Sequence, residues 1–118
     1  MGPEAEYRAH LAAGRFMIQR GATSGKAFFP PRTHEPVTGD AAKWVEASGC
    51  GTVYTVTIVR KRDPEPDYNI VLIDLQEGPR LMSRMDGIAP GEVKIGMAVT
   101  ARIITENETP VLIFEPAA

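Results

Sequence analysis

GCGTVYTVTIVRKRDPEPDYNIVLIDL, running from Gly49 to Leu75, decides the fold. It holds two β-rich runs, Thr52–Val59 and Tyr68–Leu75, around a charged loop that carries Pro64 and Pro66. Strict alternation along the first run puts Val53, Thr55, Thr57 and Val59 on one face. Tyr54, Val56 and Ile58 take the other, the pattern of a strand with two unlike faces. In the second run Ile70-Val71-Leu72-Ile73 is apolar on both faces, which predicts a deeper position, and Asp74 interrupts it. A long antiparallel hairpin cannot bury its own apolar face, so the remaining chain must close over it.

The 118 residues are enough for one domain with one core. A hydrophobic share of 43% with 24% charge is that of an ordinary globular chain, and no apolar run has the length of a membrane span. Glu4, Glu6, Arg8 and His10 break any secretory h-region, and Cys50, the single cysteine, allows no internal disulfide. Both point to a reducing cytoplasm. Net charge is −2 but unevenly placed: residues 1–62 hold nine Lys/Arg against five Asp/Glu, and residues 63–118 hold four against ten. The first half can therefore offer a local anion site, while the chain as a whole lacks the basic excess of a non-specific DNA binder.

Glu4 to Gly14 reads as a short helix with Pro3 at its start. Arg15–Arg20 and Lys26–Phe29 read as short strands around the turn Gly21–Gly25, and Thr33–Asp40 is a second turn. Ala42–Ser48 resumes extended structure. After the hairpin come strands at Arg80–Arg84, Val99–Ile104 and Val111–Phe114, with Thr105–Pro110 as a polar turn. The expected fold is mainly β: a five-stranded OB-type barrel or small sandwich, preceded by a helix and a small lobe.

Several strings, in order, resemble one family: proteins that join a rubredoxin-like zinc ribbon to an OB-fold and accompany thiolase-type acyl-CoA enzymes. They are QRGATSG (19–25), FPPR (29–32), EPVTG (35–39), GCGTVYTVTIV (49–59), VLIDLQEG (71–78), KIGMAV (94–99) and FEP (114–116). The resemblance implies a ribbon lobe over residues 1–40 and an OB barrel over 41–118. It also places the family's metal-binding cysteines at Gly21, Ser24, Glu35 and Thr38, where this chain has none. Structural zinc needs four thiolate or imidazole donors. Glu35 with the adjacent His34 offers two at best, so the expectation is a degenerate ribbon without zinc, and His34 reads as a solvated loop residue. Structural zinc supplies about 10 kcal/mol or more to small modules. Without it the lobe must rest on Phe16, Ile18, Phe28, Phe29 and Trp44, and it is expected to be the least stable part.

No catalytic constellation stands out. Cys50 lies between two glycines with no histidine near it in sequence, and His10 reads as a surface residue on the short helix. Asp74 reads either as a buried acid or as a rim residue bonded to backbone. The best ligand candidates are Arg60, Lys61 and Arg62, joined by Arg80 and Arg84, since arginine forks suit phosphate oxygens such as those of coenzyme A. Asp63, Glu65 and Asp67 follow at once and can neutralise them. The resemblance implies a non-catalytic accessory subunit of an acyl-CoA thiolase or aldolase complex, with a thiolase-like protein and acyl-CoA as partners. The rival reading is a nucleic-acid-binding OB module, which needs aromatic stacking residues in a basic groove.

Overall fold

The structure is a computed structural model that describes residues 2–35, 39–62 and 66–117. The chain opens with helix α1, Pro3–Ala12. Proline in the first turn forfeits no helical hydrogen bond, and Glu4 and Glu6 meet the positive end of the helix dipole. Only Leu11 of this helix is buried, so a short helix with little apolar stripe depends on docking. Tyr7 lies edge-on against Phe29, with ring centroids 5.4 Å apart, and the Trp44 indole N–H donates to Glu6 at 2.7 Å.

Strands β1 (Met17–Gly21), β2 (Ala27–Phe28) and β3 (Ala42–Glu46) form a three-stranded antiparallel sheet in the order β2-β1-β3. The sequence reading assigned residues 42–46 to the barrel. They are instead hydrogen-bonded to β1, from Met17 opposite Glu46 to Gly21 opposite Ala42. Phe16 and Ile18 enter the same buried cluster as Val53, Val71, Ile73 and Phe114, and Phe29 packs against it. Trp44 instead meets the helix, edge-on to His10 at 5.0 Å.

The second sheet has five strands in the order β6-β5-β4-β7-β8. These are β4 (Cys50–Val59), β5 (Tyr68–Leu75), β6 (Arg80–Ser83), β7 (Ala98–Glu106) and β8 (Thr109–Pro116). The sheet curls until its two ends meet. The Phe114 N–H donates to the Arg84 carbonyl at 3.0 Å, and the Asp86 N–H donates to the Phe114 carbonyl at 2.8 Å. Strand order with this closure is that of an OB-fold barrel. The polar turn expected over Thr105–Pro110 is only Asn107-Glu108, both with positive φ (51° and 64°), so β7 and β8 extend right up to it. Two consecutive residues of that conformation match the twist of a tight hairpin.

Strict alternation does not hold along β4. Val53 pairs with Ile73 but Thr55 pairs with Leu72, so Tyr54 is an extra residue in a β-bulge. Beyond it the parity reverses. Val56 and Ile58, expected opposite to Val53, share its inward face and pair with Val71 and Asn69, both buried. Tyr54 and Thr55 turn outward together, as do Thr57 and Val59. On β5 the buried residues are Asn69, Val71, Ile73 and Leu75, while Ile70 and Leu72 are half-buried on the outer face.

A buried amide locks the closure. Asn69 donates through Nδ2 to the Met85 carbonyl at 3.0 Å and accepts from the Met85 N–H through Oδ1 at 2.7 Å. Met85 then pairs in parallel with Phe114. Replacing Asn69 by Ala orphans one buried donor and one buried acceptor, a cost of about 1–3 kcal/mol. The expected outcome is a lowered denaturant midpoint with an unchanged slope, measured by tryptophan fluorescence and circular dichroism.

Candidate ligand and docking surface

The five cations singled out in the sequence do not gather at one place. Arg80 opens β6 opposite Asp74, whereas Arg84 follows that strand, four residues or roughly 13 Å along. Arg84 therefore lies at the end of the barrel where the β4–β5 loop carries Arg60, Lys61 and Arg62. Arg60 bonds Asp67 at 3.4 Å, the Lys61 N–H donates to Asp67 at 2.9 Å, and the Lys61 ammonium lies 5.5 Å from the Tyr68 ring centroid. Arg62 makes no ion pair among the described residues. Asp63 and Glu65, expected to neutralise this cluster, lie outside them.

Arg80 and Arg84 are both committed to carboxylates. Arg80 reaches Asp74 through Nε at 2.6 Å and Nη2 at 3.4 Å, and its guanidinium carbon sits 3.3 Å from the centroid of the Tyr54 ring. Arg84 bridges Asp86 (3.0 and 3.2 Å) and Glu106 (3.1 and 2.8 Å). Glu106 and Asp86 raise the guanidinium's pKa, and Arg84 in return holds the Glu106 carboxyl below its ordinary range. The depression beside Arg84, lined by Asp67, Asp86 and Glu106 as well, holds three carboxylates to one arginine. That balance suits a fixed structural node better than a phosphate site.

Asp74 belongs to neither of its two expected settings. It stands on the outer face with its side chain 40% exposed, and its partner is Arg80 rather than backbone. The outer surface of β4, β5 and β6 sets the threonines of β4 beside apolar and aromatic side chains. Tyr54 is 45% exposed, Tyr68 43% and Met82 69%, with Leu72 half-buried opposite Met82. Ile95, 70% exposed, joins the bulge end, because the Gly96 N–H donates to the Val53 carbonyl at 2.8 Å. Tyr54 points outward under Arg80, and the bulge turns Thr55 outward beside it. A Cβ on Gly51 would fall 2.7 Å from Ile73 Cγ2 and 2.9 Å from the Asp74 carbonyl, and a glycine inside a strand marks such a close approach.

A second concavity of about 560 Å3 lies between α1, the Phe29–Pro31 segment and the strands β6 and β8. Tyr7, Leu11, Phe29, Leu81, Met82 and Leu112 line it, and burial pushes the Tyr7 hydroxyl up to about 12, keeping it neutral.

The residues at the ribbon's metal positions do not fit a zinc ion. Gly21 brings no donor, Ser24 brings a hydroxyl, Glu35 is a buried carboxylate, and Thr38 lies outside the described residues. No group of three potential ligands assembles among the described residues. The two turns nevertheless repeat one geometry. Gly25 N–H donates to the Gly21 carbonyl at 2.9 Å, Gly39 N–H to the Glu35 carbonyl at 2.9 Å, and the two closing glycines have φ of +72° and +71°. His34 is exposed and bridges to Ala41. Cys50 is exposed, and its N–H donates to the Ser48 hydroxyl at 3.1 Å. His10 is half-buried on Trp44. The Ser48 hydroxyl donates to Glu77 at 3.5 Å on the exposed surface, and among the described residues no hydrogen bond joins Cys50 to a histidine. No helix is long and apolar enough to cross a membrane.

A small three-stranded lobe packed on an OB barrel is the class that the fold defines. The family model of the ChsH2 C-terminal OB-fold domain matches residues 44–103. A probable enoyl-CoA hydratase alpha subunit of Thermomonospora curvata is 36% identical over 87% of this chain, which spans 34% of that protein. Two DUF35 domain-containing scaffold proteins, from Pyrococcus furiosus and Methanocaldococcus jannaschii, are each 31% identical. The matches cover 79% and 65% of this chain, and the chain spans 72% and 59% of them. Among solved structures, an "Ltp2-ChsH2(DUF35) aldolase" chain superposes with a TM-score of 0.86 at 31% identity, covering 98% of this chain and 95% of its own. A DUF35 protein of Sulfolobus solfataricus shares the fold, with a TM-score of 0.69 at 18% identity over 96% and 84%. The chain belongs to the DUF35 family of OB-fold proteins that accompany enzymes.

Glu106 supplies a pH test of the closure node. A carboxyl whose folded pKa is depressed stabilises the fold above its unfolded pKa, near 4.3, and loses that contribution as pH falls through the lower folded value. Glu106→Gln is therefore expected to lower the urea midpoint at neutral pH. The gap to the parent should shrink steadily below about pH 4, read from paired denaturation curves.

Proposed function

We propose that this chain is a non-catalytic subunit that docks on a thiolase-like acyl-CoA enzyme and helps to form or shield its acyl-CoA site. The observation that carries this reading is the outer face of β4–β6. Tyr54 under Arg80, Leu72, Met82 and Tyr68 stand there exposed or half-exposed on a rigid sheet. Tyrosine, arginine and methionine are the residues enriched at the centres of protein interfaces. The paired carboxylates around Arg80 and Arg84 disfavour a polyanion, which weighs against the nucleic-acid reading.

Further support comes from the structural relative described as an Ltp2-ChsH2(DUF35) aldolase, and from the two archaeal relatives that are scaffold proteins. The hydratase name belongs to a protein about three times as long, so its activity is not carried over to this chain. In this reading Arg60, Lys61 and Arg62, on an exposed loop, supply the charges nearest a bound coenzyme A.

Native purification of the intact chain is expected to bring with it a thiolase-like protein whose acyl-CoA turnover depends on this subunit. Introducing Met82→Asp and Leu72→Asp together should weaken that association at least about tenfold while leaving the melting temperature of the chain nearly unchanged. Turnover by the chain alone that vanishes on Cys50→Ala would overturn the proposal, as would oligonucleotide binding tighter than acyl-CoA binding with a steep salt dependence.

Replacing Arg60, Lys61 and Arg62 together by Ala should weaken acyl-CoA binding to the complex by less than about tenfold, since exposed charges contribute little each. Calorimetry on the complex measures this.

A further inference from the structure

The same glycine hydrogen bond closes both segments, 21–25 and 35–39, in a chain whose residues at the metal positions do not fit zinc. We propose that the carboxylate of Asp40 replaces the metal as the clamp between the turns. Asp40 directly follows the second turn, where its backbone carbonyl accepts from the Glu35 N–H at 2.8 Å. Its side chain crosses to the first turn, where a single oxygen, Oδ2, accepts from the Thr23 N–H at 2.7 Å and the Ser24 N–H at 2.9 Å. One anionic acceptor thus ties residues 16 and 17 positions away in sequence. Adjacent backbone pairing completes the tie, with the Ala22 N–H donating to the Ala41 carbonyl at 2.7 Å.

The space at position 21 shows that the carboxylate and a thiolate exclude each other. A Cβ on Gly21 would lie 2.7 Å from Asp40 Oδ2 and closer still to the Ser24 hydroxyl. A cysteine there would have to displace the carboxylate that now fills the position. Gly21 and Asp40 are therefore one device: the absent side chain makes room for the acid, and the acid takes the donors that a metal-bound thiolate would have met. The glycine is no more a random loss of a ligand than the aspartate is a random surface charge.

The intact chain is the object to test, by amide exchange and melting. Asp40→Ala is expected to speed exchange at Thr23 and Ser24 by at least about tenfold, with Val71 and Ile73 in the barrel unaffected. Asp40→Asn, which keeps one acceptor oxygen, should fall between. Gly21→Ala should destabilise the parent more than it destabilises the Asp40→Ala chain, because the clash with Oδ2 is then gone. Neither zinc at one equivalent nor a chelator should move the melting temperature or the exchange of the two amides. Unchanged exchange in Asp40→Ala, additive effects of the two substitutions, or a shift on chelation would each refute the clamp.

Discussion

Phe114 is where the barrel becomes a barrel. Its N–H and carbonyl bond Arg84 and Asp86, and the Asn69 amide brackets Met85 between them. Without that meeting β6 and β8 would be the two free edges of a twisted ribbon, each presenting unpaired backbone groups. With it, Phe114 is fully buried and the inward residues of all five strands share one interior. The N-terminal lobe then inherits a floor. Phe16 and Ile18 join that interior, so a lobe without a large core of its own rests on packing that the barrel has already organised.

The hairpin was legible because alternation and β-branched residues report directly on a strand. Tyr68–Leu75 has the bounds read from its sequence, and the antiparallel direction of the strands follows from loop length. Three things were hidden. The bulge at Tyr54 leaves no mark in a run where every residue already suits a strand. The membership of Ala42–Glu46 depends on which neighbour it pairs with, a non-local choice that periodicity does not encode. The turn read over Thr105–Pro110 is there, but its two-residue length was hidden, because Asn107-Glu108 lacks the glycine that usually announces positive φ.

Of the candidate site, the residue types were legible but their company was not. A run of basic residues looks available for phosphate until the partners are placed. Arg80 and Arg84 prove to be bound by carboxylates 6, 2 and 22 positions away. The acidic second half of the chain is thus spent partly on fixing its own arginines. What remains open is a face that carries Tyr54, Tyr68, Leu72 and Met82, and it became visible only when the outward sides of β4, β5 and β6 were placed together.

The bulge also separates two obligations of one strand. Were Tyr54 absent, Val53 and Thr55 would follow each other directly, and inward and outward residues would alternate without fault against Ile73, Leu72 and Val71. The barrel's hydrogen-bonding register therefore has no use for this residue, and everything Tyr54 does is done for the outside. It is a built-in length polymorphism: a place where the chain can gain or shed one residue, and so rewrite the surface it shows, without renegotiating the interior.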